Sequence, residues 1–432
     1  MNPHISKSKL SPPSSLSEAS SSSTSRDDTP FSSNRFSHIP ISKSPSYHHH
    51  HHPLAILSGH IGSVSCLSLC GEFVLSASHG KDIIVWQHPD LRPFTKFGQG
   101  DGSVKSVVTV GNKVFTAHQD GKIRVWKVSR RRRRSSEDDD DDVFKLVDTL
   151  PTTMDYLGKF MKQSNYVQTR RHHKRLWIEH SDSISCLAVS NGLIYSGSWD
   201  KTLKVWKMTN FKCLESIKAH EDAINGLVAC KGVVYSASAD GKIKAWGRKE
   251  GKMKKMTHFL KGVLEGHKDL SFNCVVVSQD GKWVYGGGSN GVVMGWEKTE
   301  KTLDESSSDL IKPFNDRSDL KNENWRLVFE MKAHGMAVLC MCLMREILFS
   351  GSSDKSIGIW KREGYGGKLC KIGVINGHEG PVKCLEATYS SRNGGGFMLY
   401  SGSLDKSLRV WWVPKYNEEE IEENSTTSLH QE

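Results

Sequence analysis

Four times along the chain a His, a Ser, an Asp and a Trp recur in one order. The sets are His180, Ser198, Asp200 and Trp206; His220, Ser238, Asp240 and Trp246; His334, Ser352, Asp354 and Trp360; and His378, Ser403, Asp405 and Trp411. Ser, His and Asp are the parts of a nucleophilic hydrolase, in which a hydroxyl attacks, an imidazole takes its proton and a carboxylate orients the imidazole. A catalytic set is needed once, so fourfold repetition argues for a structural role. In that reading carboxylate, imidazole, hydroxyl and indole N–H form a buried hydrogen-bond chain between a hairpin turn and the loop that leads into the same sheet. Each sheet must satisfy its own buried polar groups. No acid, base and nucleophile stand together outside the repeats, so no catalytic residue, enzymatic activity or cofactor is expected.

The element that positions these residues is clearest in the stretch Gly192–Trp206. Leu193, Tyr195 and Gly197 alternate with Ile194, Ser196 and Ser198, the period of a strand. Asp200-Lys201-Thr202 is a tight turn, and Leu203 to Trp206 is the return strand. The pattern recurs in copies ending at Trp86, Trp126, Trp206, Trp246, Trp296, Trp360 and Trp411, and His60, His180, His220, His267, His334 and His378 precede six of them. A repeat of roughly 40 residues with this His and Trp is the mark of a β-propeller. The expected fold is all-β, with seven blades. Leu54–Leu57 precedes the first repeat without a blade of its own, and the last repeat lacks a following strand. The N-terminal segment is therefore expected to complete the last blade and close the ring. Three repeats depart from the set: Gly80 replaces Asp in repeat 1, Gly100 and His118 stand for His and Ser in repeat 2, and repeat 5 has Gly288 and Asn290. Those blades are expected to be locally weaker.

On these residues the chain resembles the WD40-repeat proteins over about 54–413, although no repeat ends in the Trp-Asp dipeptide. The resemblance implies blades held by such a tetrad. Asn165–His180 (NYVQTRRHHKRLWIEH) and the following SGSWDKTLKVWKMTNFKCLESIKAHEDAINGLV are similar to the Jingubang-type plant WD40 proteins. That resemblance implies a plant regulatory protein that works through protein partners, in signalling or development.

The chain of 432 residues exceeds what seven repeats need, and the remainder falls in tails and insertions. Residues 1–53, Ser-rich and carrying the run His48–His52, are expected to be disordered, as is the acidic tail 414–432. One insertion, 129–172, begins with Arg130, Arg131, Arg132, Arg133 and Arg134 followed by Glu137–Asp142. Within it Phe144–Leu150 reads as an extra strand and Thr153–Met161 as a short helix, and Leu176–Ile178 then reads as an outer strand. A second insertion spans 299–324, and a short loop covers Ser390–Gly396. No apolar run approaches the roughly 20 residues that span a bilayer, and no secretory signal is expected. Cys66, Cys186, Cys274, Cys340 and Cys384 share one position near the start of a blade, which points to packing between blades and not to a metal site. Reduced thiols suit the cytoplasm or nucleus, and the Arg run would serve as a nuclear-import signal.

A propeller of this class is an interaction platform. The residues before each Asp position are expected on one rim of the central channel: His79, Gln119, Trp199, Ala239, Ser289, Ser353 and Leu404. Asp182, Asp222 and Asp269, in the loops leading into blades, would add negative charge and suit a basic or Arg-containing peptide. Trp is frequent in binding hot spots, so Trp199 is the foremost of these positions. The expected partners are proteins or peptides, transcription regulators among them, and the chain is expected to be a monomer outside its complexes. A substrate receptor of a cullin-type ubiquitin ligase would need Trp-Asp-x-Arg, which is absent. The net charge of +11 permits nucleic-acid association through Arg130–Arg134 and Arg170–Arg175, but these runs have few interleaved aromatics, so nucleic acid is not an expected partner.

Overall fold

The second strand of each repeat is apolar or small at nearly every position, and the structure shows why. In Leu193–Ser198 every residue is buried, and Val233–Ser238, Trp283–Gly288 and Ile347–Ser352 repeat the pattern. These strands lie in the middle of sheets covered on both faces, which removes the polar face of a half-exposed strand. The computed structural model describes residues 53–98, 102–129, 143–170, 173–250, 256–299, 324–364, 366–391 and 395–415. The expected disorder of the tails apart from Pro53, Pro414 and Lys415, the His48–His52 run, Arg130–Arg134 with Glu137–Asp142, and Gly100 fall outside the described residues; Pro414, expected in the acidic tail, instead ends the last strand, paired with Gly396.

Seven four-stranded antiparallel sheets follow one another as blades, each with its strands in chain order from the inside outward, apart from the last. The inner strands, such as Val64–Cys70, Ile184–Ser190 and Val382–Ser390, pack against the inner strands of the neighbouring blades and wall a central channel. Apolar clusters fill the wedges between blades; one joins Phe115 and Val125 of blade 2 to Ile184 and Trp206 of blade 3. The inner-strand thiols sit in these wedges. Cys186 lies 2.8 Å from where a Cβ on Gly197 would stand, so the Gly makes room for the sulfur. Burial pushes the thiols of Cys66, Cys186 and Cys274 up to about 12, which leaves them protonated.

Blade 7 closes with a strand from the other end of the chain. Ala55–Leu57 pairs antiparallel with Leu408–Val410, and the Leu54 amide donates to the Val410 carbonyl at 2.7 Å. Leu57 is 1% exposed among Trp86, Tyr400, Leu408 and Val410, so the seam is sealed by apolar burial as well as by the ladder.

The insertion after blade 2 departs from the sequence reading. Phe144–Leu150 is not an extra strand: it pairs with Ile123–Val128 as the outer strand of blade 2. Leu176–Ile178 is not an outer strand, because Leu176 ends a hairpin of Tyr166–Arg170 with His173–Leu176, and Trp177 and Ile178 follow as non-strand residues. An alternating run that directly follows a charge block resumes the blade there, since the third strand offers only one free edge. The helix is shorter than expected, Thr153–Leu157. Its Thr152 hydroxyl accepts from the Asp155 amide, and Asp155 reaches back to the Thr152 amide. The Tyr156 hydroxyl donates to Glu179 at 2.8 Å and ties the insertion to the approach into blade 3.

Candidate interaction surface

The polar chain inside each complete blade runs through four side chains. In blade 3 the Trp206 indole N–H donates to Ser196 Oγ at 2.9 Å, Ser196 Oγ lies 2.8 Å from His180 Nε2, and His180 Nδ1 lies 2.9 Å from Asp200 Oδ2. A carboxylate only accepts, so Nδ1 carries the proton, and the neutral ring then accepts from the Ser hydroxyl at Nε2. Blades 4, 6 and 7 repeat this through Ser236, Ser350 and Ser401.

The hydroxyl in the chain is therefore not the one two residues before the Asp. Ser198, Ser238, Ser352 and Ser403 sit one pleat further along the same strand face. Ser198 accepts from the Asp200 amide at 3.0 Å and donates to the Asp182 carbonyl at 3.2 Å, and Ser238, Ser352 and Ser403 do the same in their own turns. Only the position ten residues before the Trp lies beside both the indole and the imidazole. Repeat 2 carries a signal for this in the sequence: His118 occupies the later position, and the hydroxyl that remains is Thr116.

The incomplete blades solve the same problem with other residues. In blade 1 His60 and Trp86 both bond Ser76 at 2.7 Å, without an Asp. In blade 2 the imidazole comes from His118, whose Nε2 lies 2.8 Å from Thr116 Oγ1, while Trp126 donates to that hydroxyl at 3.0 Å. Asp120 is held instead by Arg124 at 2.6 Å. Blade 5 abandons the chain. His267 turns outward to Glu330, and Phe272 fills the space beside Gly286, its ring 5.7 Å from that of Trp296.

Burial lowers the pKa of His180, His220, His334 and His378 despite their Asp partners, and brings His60 down to about 4 and His118 to about 3. On Asp200 burial acts to raise the pKa, but the hydrogen bond and charge of His180 outweigh it and hold the carboxyl well below the usual range. The sign for stability follows. Above pH 6.5 these rings are neutral both folded and unfolded. Below it the unfolded chain takes up protons that the fold refuses, so stability is lost as pH falls from about 6.5 toward 4. His60 alone accounts for about 3 kcal/mol of this loss. The urea midpoint is expected to fall steeply between pH 7 and 5, and His60→Asn is expected to flatten the slope. A midpoint independent of pH over that range would contradict the neutral buried rings.

The turns of all these chains meet on one face. His79, Gln119, Trp199, Ser289 and Leu404 are exposed there and Ala239 and Ser353 half-buried, with Asp182, Asp222 and Asp269 exposed in the loops leading into blades 3, 4 and 5. Neighbouring blades touch along this rim: Ser183 Oγ donates to the Gln119 carbonyl, Ser271 Oγ to that of Ala239, and Ser63 Oγ to that of Leu404.

A family model described as WD domain, G-beta repeat matches residues 51–87, 171–207, 211–247, 259–297, 325–361 and 369–411, more than half of the chain. The chain belongs to the WD40 family. Blade 2, with its relocated imidazole, lies between matched stretches. The chain is 24% identical over 207 residues to WD repeat-containing protein 18 of Bos taurus, covering 38% of this chain and 45% of that one. It is 26% identical over 103 residues to Protein MAK11 of Saccharomyces cerevisiae, covering 22% of this chain and 24% of that one. The matched region thus spans less than half the length of these relatives. Among solved structures, the computationally designed Ika8 protein superposes with a TM-score of 0.52 over 83% of this chain and 98% of its own, at 19% identity, a likeness of fold.

In this WD40 ring one feature of the channel wall was not read from the sequence. Every inner strand has a β-bulge after its first residue, which leaves one residue outside the ladder. The seven bulge residues are Ser65, Lys105, Ser185, Asn225, Asn273, Leu339 and Lys383. Ser65, Ser185, Asn225 and Asn273 stitch to the next blade, bonding the carbonyls of Val104, Ile224, Phe272 and Val338. Lys105 and Lys383 put charge at a position that is Ser or Asn in four other repeats; that contrast is the signal that alignment of the repeats offers. The Lys105 ammonium, on the blade 2 inner strand, lies 5.6 Å from the ring of Trp199, which is 42% exposed.

Proposed function

We propose that this WD40 chain is a non-catalytic scaffold that gathers protein partners on its turn-face rim, and that it acts as a regulatory protein in plant signalling or development. The observation that supports the rim is Trp199, a large side chain that stays 42% exposed on the turn face while the polar sets are consumed by the fold. Ser196, Ser236, Ser350 and Ser401 are each 0% exposed and already share their hydroxyls between indole and imidazole, so these sets offer no nucleophile to a substrate. The plant regulatory role rests on the Jingubang-type resemblance of Asn165–His180. Residence in cytoplasm and nucleus, with Arg130–Arg134 as the import signal, belongs to the same proposal.

The rim is tested by purifying the full chain from its native cells with Trp199 and His79 intact or both replaced by Ala, and comparing the bound proteins by mass spectrometry. At least one partner is expected to fall about tenfold or more in the variant. An unchanged partner set with unchanged thermal stability would remove the rim as the working surface.

A further inference from the structure

The rim is not uniform in charge. Over blades 3, 4 and 5 it carries Asp182, Asp222 and Asp269. Over blades 7, 1 and 2 the channel mouth carries Lys383, Ser65 and Lys105 in succession. Ser65 is engaged by the carbonyls of Ala77 and Val104 at 3.1 and 2.7 Å. Among the described residues neither lysine makes an ion pair, and the charge of Lys383 reaches Lys105. Burial and then this like charge lower the pKa of Lys105.

One acid of this sector, Glu379 in the loop leading into blade 7, is exposed, and the others are engaged or displaced. Asp405 holds His378 at 2.8 Å, Asp120 holds Arg124 at 2.6 Å, and blade 1 has Gly80 where other blades have Asp. Asp82 lies on the His60 side, where it is felt by that ring. Glu386 lies three residues further along the Lys383 strand; burial pushes its carboxyl up to about 7, so it is part-protonated at neutrality. On the same rim two apolar side chains of blades 1 and 7 are exposed, Ile61 at 89% and Leu404 at 38%, on loops joined by the bond from Ser63 to Leu404.

The described residues that flank the chain's own acidic runs lie at the other face. Phe144, just after Glu137–Asp142, pairs with Val128, and Pro414, just before Glu418–Glu423, pairs with Gly396; both pairs are at the strand ends remote from the turns. We propose that the channel mouth over blades 7, 1 and 2 docks an acidic segment of another protein, with carboxylates between Lys105 and Lys383 and interleaved apolar side chains on Ile61 and Leu404. This rests on the rim as the working surface and gives that sector a partner of opposite charge to the one suited to Asp182, Asp222 and Asp269.

The test is fluorescence anisotropy of the full chain with a short labelled peptide of alternating Asp and Leu, a Lys–Leu peptide serving as the reverse-charge probe. The Asp–Leu peptide is expected to bind, more weakly at high salt. Lys105→Gln or Lys383→Gln is expected to weaken it about fivefold, and both together about twentyfold, with the melting temperature unchanged. Equal binding by the double variant would overturn the lysine pair as the site. Absent binding while partners captured from cells still depend on Trp199 would overturn this proposal alone and leave the rim standing. A gain of about tenfold on replacing Glu418, Glu419 and Glu420 by Gln would show the chain's own tail as the occupant and overturn a partner in trans.

Discussion

Trp206→Ala is expected to destabilise the protein by about 4 kcal/mol, against no more than about 0.5 kcal/mol for Trp199→Ala. Trp206 is 1% exposed and fills the wedge between blades 2 and 3 with Phe115, Ile184 and Ile194, so its removal leaves a cavity that strands on both sides cannot collapse into. It also takes the indole N–H from Ser196, at the head of the chain that ends on Asp200. Trp206→Phe separates the two terms: most of the packing stays and the hydrogen bond goes, at a cost of about 1–2 kcal/mol. Urea denaturation of the three variants checks the order. A Trp199→Ala loss as large as that of Trp206→Ala would mean that the exposed ring is part of the core.

The second large effect lies at the seam. Leu57→Asp is expected to cost about 4 kcal/mol or more, because it places a carboxylate among Trp86, Tyr400 and Val410 with no partner and removes a fully buried Leu. Ile56→Asp, one residue away on the 45% exposed side, is expected to change stability by no more than about 0.5 kcal/mol. Once released, the closing strand leaves Leu408–Pro414 as an open edge that can pair with a second chain. The checks are a denaturation midpoint and size-exclusion chromatography, which should show the Leu57 variant associating and the Ile56 variant not. Equal midpoints would mean that the ring does not depend on its N-terminal strand.

The ring itself was legible because its signal is redundant. A buried middle strand, a turn with Asp and a Trp after it recur often enough that degenerate copies, such as the one ending at Trp296, are found by position. The closing strand followed from a count of strands. The hydroxyl of the tetrad was misplaced because Ser196 and Ser198 share type and face, and spacing alone cannot tell which one meets the Trp. The outer strand of blade 2 was misread because the charged run before Phe144 hides the continuity of the sheet. The bulge lysines were missed for another reason: Lys105 and Lys383 look like ordinary polar strand positions until the register slips at each inner strand. Nothing in local alternation announces such a slip.

The seam also sets how the ring answers to force. The closing strand runs antiparallel to the last one, with Ala55 opposite Val410 and Leu57 opposite Leu408, so the outgoing chain at Leu54 and at Pro414 leaves from the same end of the pair. Tension between the two termini therefore loads this ladder as a zipper, one bond at a time from the Leu54–Val410 contact inward, and not as a shear across all bonds at once. The ring would yield first at its narrowest ladder, at low force, while the remaining blades stay folded, and it could re-close once the load is released.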